Sequence, residues 1–429
     1  MGNFAQFLKY PYPCKLVSKQ LMLNVEFWVL NIAFKIQSFK IQNSYLRPTM
    51  KVLRTLFFVL VTLSLGNISL TAQDIHFSQF YMSPLNLNPA LTGVMNSQVR
   101  VVGNYRNQWA SVLKSNAFST YSVSYDQKIA VGRYDYFGIG GTFWGDSAGQ
   151  SDFKTLQGKL SASYSKRMGG YRSKSHYLVI GAEAGVSQRS IDFLNLQWGS
   201  QHDGEGGFDG SLGSGETFDR DNFLFADLSA GLLWFTVFDE YSNFYIGGAF
   251  SHLNRANQSF DSTQDVPLYS KFTIHAGAEL MGKSRVGLVP GMVAFFQGPS
   301  FELNAGTSVK FLMGGSKRGR RGSSGDTQSF QIGAWTRLAN RVNGVTTTTF
   351  DPMDPTQPPI VTRTDDVSIW LDAVILSTRF DYNNFGLGFS YDVNVSSLRP
   401  ASNSNGAFEF SIIYNIVGNE KRNVYCPNF

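Results

Sequence analysis

The 429-residue chain holds only two cysteines, Cys14 and Cys426, so disulfide bracing cannot be what stabilises it. Beyond Leu65 no apolar run approaches the roughly twenty residues of a membrane-spanning helix. Five histidines, His76, His176, His202, His252 and His275, form neither a His-x-His pair on one strand face nor a His-x-x-x-His pair on one helix face, which argues against a zinc site. A Gly-x-Ser-x-Gly nucleophile elbow is missing, and Gly138-Ile139-Gly140-Gly141 has no following Lys-Ser/Thr or helix, so it reads as close strand packing rather than a phosphate cradle. No catalytic residue, cofactor site or metal ligand is assigned from these patterns, and the chain is expected to be no enzyme.

Charge of one sign is also lacking once the chain is divided. The net +6 is carried by residues 1–72, whose eight Lys/Arg face a single acid, Glu26. Residues 73–429 hold 29 bases and 30 acids, a net of −1, so the basic balance implies no nucleic-acid partner. Its source is a secretory leader: Met50-Lys51-Val52-Leu53-Arg54, an apolar run from Leu56 to Leu65, and small residues before Gln73. Residues 50–72 are therefore expected to be a signal peptide, and residues 1–49 an upstream extension outside the natural reading frame. The rest is expected to be extracytoplasmic.

What is present is aromatic, glycine-rich and written in period two. The chain contains 36 Phe, 19 Tyr, 7 Trp and 42 Gly. Phe385, Leu387, Phe389, Tyr391 and Val393 alternate with Gly386, Gly388, Ser390, Asp392 and Asn394, and Phe408, Phe410, Ile412, Tyr414 and Ile416 alternate in the same way with more polar neighbours. Similar stretches run through Tyr121–Asp126, Leu160–Ser165 and Phe272–Leu280. Small or charged residues on one face and aromatics on the other favour a barrel in lipid over a soluble sandwich.

Counting such segments predicts an all-β fold: a transmembrane antiparallel β-barrel of about fourteen strands over residues 99–416. The strands, each about ten residues, lie near Val99, Phe118, Phe137, Leu156, Tyr177, Phe223, Phe244, Phe272, Val286, Phe301, Phe330, Val367, Phe385 and Ala407. Connections after odd-numbered strands include the longest, 191–222, 254–267, 339–366 and 395–406, and even ones are mostly short, which places the odd ones outside the cell. One even connection departs from this: the basic Ser316–Ser324 stretch, with Arg318, Arg320 and Arg321, is either a solvated loop or a dock for an acidic periplasmic partner. The acid-rich outer stretch with Asp203, Glu205, Asp209, Glu216, Asp219 and Asp221 reads as a solvated loop or a calcium site. Residues 73–98, with Pro84 and Asn88-Pro89, suit an irregular lead-in or plug at the periplasmic mouth or inside the lumen, and residues 417–429 form a tail. Arg106 and Trp109, following the first strand, are expected at the rim, as a lipid-anchoring pair or as partner contacts.

The segment from Gln73 to Gly93, with Gln79-Phe80-Tyr81 and Asn88-Pro89-Ala90 before a glycine, resembles the start of the PorP/SprF family. Further resemblances are Arg106-Asn107-Gln108-Trp109, Gly145-Asp146-Ser147-Ala148-Gly149, Gly388-Phe389-Ser390-Tyr391-Asp392 and the terminal Cys426-Pro427-Asn428-Phe429, where Asn428 departs from the usual Arg. The resemblance spans essentially residues 73–429. It implies an outer-membrane component of the type IX secretion and gliding machinery of Bacteroidetes, assisting export or surface anchoring of cargo proteins. Its partners would be that cargo, periplasmic and outer-membrane secretion components, and outer-membrane lipid. Candidate partner-binding residues are Asn88, Pro89, Arg106, Trp109, Arg318, Arg320, Arg321, Cys426, Pro427 and Phe429. The alternative is a passive porin or transporter for a small solute, because a barrel of this size can enclose a narrow or plugged lumen.

Overall fold

A computed structural model describes residues 74–429 apart from 172–173, 203–206, 216–218, 240–241, 283–284, 314–327, 350–359, 419–425 and 428–429; for 171, 341–349 and 360–367 it describes the backbone alone. The expected leader and upstream extension, the basic connection with Arg318, Arg320 and Arg321, and Phe429 lie outside the described residues.

Fourteen antiparallel strands close into a barrel: β1 Val99–Gln108, β2 Phe118–Val131, β3 Asp135–Ala148, β4 Phe153–Tyr171, β5 Lys174–Ser190, β6 Asn222–Val237, β7 Asn243–Ser251, β8 Lys271–Met281, β9 Val286–Gln297, β10 Ser300–Met313, β11 Gln328–Thr349, β12 Ile360–Tyr382, β13 Phe385–Asn394 and β14 Asn405–Ile416. Each strand pairs with its neighbour in sequence, and β1 closes on β14 from Val99↔Ile416 to Gln108↔Ala407. Closure removes the unpaired edge that lipid cannot hydrogen-bond. All fourteen expected strand positions fall within these strands.

One expected boundary moves. The outward connection placed at 339–366 is mostly ladder, because β11 and β12 stay paired as far as Thr349↔Ile360. The run Val345-Thr346-Thr347-Thr348-Thr349 is β-branched, and β-branched residues favour extended pairing even where the hydrophobic alternation has ended.

Polarity is inside out. On β2, Tyr121, Val123, Tyr125 and Ile129 face outward and are exposed, while Thr120, Ser122, Ser124, Asp126 and Lys128 face inward and are buried. On β13, Phe385, Leu387 and Phe389 point out while Ser390, Asp392 and Asn394 point in. The outward phase is suited to lipid and the inward phase needs polar partners.

Those partners come from residues 74–98, which run through the lumen. The segment is a string of single turns, Phe80–Met82, Pro84–Leu87 and Pro89–Leu91, broken by prolines that cannot extend a helix or join a ladder. Its Phe80, Met82, Leu85, Ala90 and Leu91 are fully buried. Asp74 donates its backbone N–H to Gln297 at the end of β9, whereas Gln98 hydrogen-bonds Ile416 and Lys128 backbone beside the start of β1. The segment therefore descends from the long-connection end, expected to face the cell surface, to the short-turn end.

Register explains how backbone fits against backbone. Gly138, Ser163, Gly181, Gly231 and Ala249 stand opposite one another on β3 to β7, forming a transverse row of small residues on the lumen wall. Residues 88–92 lie in that row. A Cβ on Gly181 would fall 2.5 Å from the Pro89 carbonyl carbon, and one on Gly138 would fall 2.7 Å from the Thr92 carbonyl carbon. Ser163 Oγ donates to the Thr92 carbonyl at 2.6 Å.

Gly181→Val is expected to unseat the segment or to cost roughly 1–3 kcal/mol of overpacking strain. The check is the temperature at which the folded barrel loses its fast gel mobility, with conductance in planar bilayers as a second readout. Unchanged melting and unchanged conductance would show that residues 88–92 are not seated in the row.

Candidate functional site

Four polar clusters tie the lumen segment to the wall. In the surface half, Ser78 and Gln79 donate their backbone N–H groups to Glu409, at 2.5 and 2.9 Å, and Ser78 Oγ donates to Asp392 Oδ2 at 2.8 Å. Arg106 and Arg337 complete this cluster: Arg337 Nη2 and Arg106 Nη2 lie 2.8 and 3.2 Å from Asp392 Oδ2, and Arg106 also pairs with Glu409. All four charged side chains are nearly inaccessible. A buried charge that loses its partner costs about 3–5 kcal/mol, so this cluster holds only while both signs and the segment are present.

Above it, His252 lies just beyond β7 between two carboxylates: Nδ1 is 2.8 Å from Asp227 Oδ1, and Nε2 pairs with Asp74 of the lumen segment. Burial alone would lower the imidazole, but the charges of Asp74 and Asp227 and their hydrogen bonds outweigh it and hold its pKa up at about 9. For Asp74, burial works to raise the carboxyl, yet His252 and then Lys271 hold it well below the usual carboxylate range.

Toward the short-turn end, Arg100 and Asp126 pair at 2.8 Å, Asp126 accepts the Gly93 N–H, and Arg100 donates to the Leu91 carbonyl. Between these levels Asn88 Nδ2 reaches the wall carbonyls of Leu232 and Gly248 at 3.2 and 3.1 Å and lies 2.9 Å from His275 Nε2. The Asn88 side chain also accepts the Ala90 N–H, capping the next turn. Asn-Pro is thereby explained: the amide is spent on the wall and the proline closes the backbone against Gly181.

Of the residues singled out in the sequence, Asn88 and Pro89 are buried in this segment. Arg106 is not at the rim, because β1 turns Arg100, Val102, Asn104 and Arg106 inward, and the polar surroundings it finds are the ion cluster. Trp109 sits past the surface end of β1 with φ 59°, its ring 5.3 Å from Phe118, and shares no site with Arg106. Cys426 and Pro427 are buried at the short-turn end. Cys426 donates its N–H to Asn96 Oδ1 at 2.6 Å and accepts from Asn96 Nδ2 at 2.9 Å, and it packs in the core with Tyr177 and Val94. The tail thus latches the lower end of the lumen segment.

In the acid-rich outer stretch, Asp209 hydrogen-bonds Ser211, Asp219 hydrogen-bonds Ser262, and Asp203, Glu205 and Glu216 fall outside the described residues. Among the described residues no group of three or more His, Cys, Asp or Glu is placed to hold a metal ion. Ser78, Arg100, Asp126, Asp227, Arg337 and His252 are among the residues that sequence reasoning missed. Arg337 and His252 carry only a strand parity or strand-end position as signal, and Ser78 carries none.

The family described as type IX secretion system membrane protein PorP/SprF matches residues 69–414. Comparison with curated proteins gives no match. Among solved structures, CdiB from Acinetobacter baumannii is similar at 9% identity with a TM-score of 0.34, over 74% of this chain and 60% of that one. OprB from Pseudomonas putida is similar at 9% identity and 0.27, over 74% and 93%, and a porin from Rh. blastica at 10% and 0.24, over 74% and 99%. The chain thus spans 60% of the length of CdiB. The strand pairing itself carries the fold. Barrel and family together place the protein in the bacterial outer membrane.

The Asp74–His252–Asp227 clamp has a pH window. His252 has a raised pKa, so its contribution is complete below the ordinary histidine value of about 6.5 and is lost as pH rises through about 9. Asp74 has a lowered pKa, so its contribution is present above about 3.9 and is lost on acidification. Barrel melting is expected to fall as pH rises toward 9, with a smaller fall in His252→Gln. Parallel curves for the two proteins would refute the clamp.

Proposed function

Because the chain belongs to the PorP/SprF family of type IX secretion system membrane proteins, we propose that it is a docking barrel that helps export cargo proteins or anchor them at the cell surface. The reading is non-enzymatic, and its partners are the cargo and other secretion components. The observation that carries it is the filled lumen. Residues 74–98 occupy the path a solute would take, and they are held by buried hydrogen bonds to wall carboxylates and by the Asp74–His252 pair rather than by exposed contacts. A barrel filled this way offers its two ends, its loops and its tail for recognition. The same observation weighs against the porin reading.

The supporting experiment is recovery of the tagged protein from gently solubilised outer membranes, with mass spectrometry of what accompanies it. Large surface proteins or periplasmic secretion components are expected. A clean barrel that conducts small solutes in planar bilayers would overturn the proposal.

The latched tail supplies a second test. Truncation before Asn423 removes the Cys426–Asn96 pair and is expected to lower surface display of cargo severalfold while the barrel keeps its fast gel mobility. Normal display by the truncated protein would remove the tail from the proposal.

A further inference from the structure

A cavity of about 410 Å3 lies at the surface end of the barrel, above the lumen segment. Its floor is Asp74, Ile75 and His76, and its far side includes Gln258, Leu268 and Tyr269 from the connection between β7 and β8. The family assignment does not use this space, which has the size of an ordinary small-molecule site.

Strand register gives the wall an order. Arg106, Thr120, Asp146, Thr155 and Arg189 stand opposite one another on β1 to β5, forming one transverse row, and all five line the cavity. The charges along it differ in how far they are committed. Arg106 is engaged by Glu409 and Asp392. Asp146 has one described hydrogen bond, accepted from Thr120 at 2.5 Å. Arg189 donates through Nη1 to Gln258 at 2.5 Å, while its buried Nε has no hydrogen-bond partner. A buried donor left unmade is costly, and here it borders the cavity.

These groups select a ligand by charge and spacing. One available carboxylate and one available guanidinium leave the wall without net charge, which disfavours a phosphate or a polycation. Asp146 and Arg189 are two strands apart, about 10 Å along the sheet. That is wide for the adjacent ammonium and carboxylate of a free amino acid, and it suits hydroxyls spread around a ring. Around the row stand Phe118, Trp144 and Tyr269, with Phe153 beneath the Arg189 guanidinium at 5.4 Å and Gln108 and Gln297 between them. Aromatic rings accept the CH-rich faces of a pyranose as they accept other apolar surface, and amide, carboxylate and guanidinium groups meet its hydroxyls as both donors and acceptors. We propose that this cavity is a binding site for a neutral saccharide unit presented from outside the cell, held by Asp146 and Arg189 over the aromatic wall.

The test uses the full-length protein in detergent, titrated with maltose, lactose and N,N′-diacetylchitobiose at up to millimolar concentration. Tryptophan fluorescence and calorimetry follow binding, and glycylglycine and inorganic phosphate serve as controls. Saturable binding of at least one saccharide is expected, weakened about tenfold or more in Asp146→Asn and in Arg189→Gln, the usual worth of a hydrogen bond to a charged group. Both variants must keep the fast gel mobility of the folded barrel. Should either fail to fold, Gln108→Ala and Thr155→Val, at the same cavity, replace it with the same expectation. Absence of saccharide binding to the unmodified protein, binding unaffected by the substitutions, or a preference for glycylglycine or phosphate would each overturn the proposal.

Discussion

A sheet closed at fourteen strands encloses more space than its own small inward side chains fill. Everything else in this molecule answers to that volume. The inward phase is serine, threonine, glycine and charge, residues that leave room rather than fill it, and the missing matter is supplied by residues 74–98. The core of the protein is consequently in the wrong place for a soluble fold. Its apolar centre, with Phe80, Leu91, Tyr177, Leu233 and Trp335, lies inside the barrel between wall and inserted segment, and the larger apolar surface faces lipid.

Filling the lumen with irregular backbone brings a second requirement, because every buried carbonyl, amide and charge must find a partner. The wall supplies them at each level: Glu409 and Asp392 to Ser78 and Gln79, Leu232 and Gly248 to Asn88, Asp126 and Arg100 to Gly93 and Leu91. Most join residues hundreds of positions apart in the chain. Hydrogen bonds with that separation reward the chain only after the last strands have paired, so ordering of the inserted segment is expected to accompany that of β13 and β14.

That separation also decides how much was legible in the sequence. The strands were, because alternation between lipid and lumen repeats every two residues and each strand carries its own record of it. The irregular character of residues 73–98 was legible from Pro84 and Asn88-Pro89, and the lumen phase of Asp392 and Glu409 from strand parity. The pairing was not. Nothing local marks Arg337 as the partner of Asp392, or His252 as the partner of Asp74, since the first pair is joined by the register of β11 to β13 and the second by insertion of the lumen segment. Arg106 was misplaced at the rim for the same reason: beside Trp109 it reads as a girdle residue, and only the inward phase of β1 separates the two. The Gly138–Gly181–Gly231 row was equally hidden, because glycines on separate strands share a level only after register is set.

The direction of the inserted segment has a consequence for how the molecule meets its surroundings. Asp74 lies at the long-connection end beside His252, and Cys426 lies at the short-turn end beside Asn96. A strand-only barrel with an even count returns both of its ends to one compartment. Here the stretch ahead of β1 traverses the lumen first, so Asp74 and Cys426, the described extremities of the folded body, lie on opposite faces of the membrane.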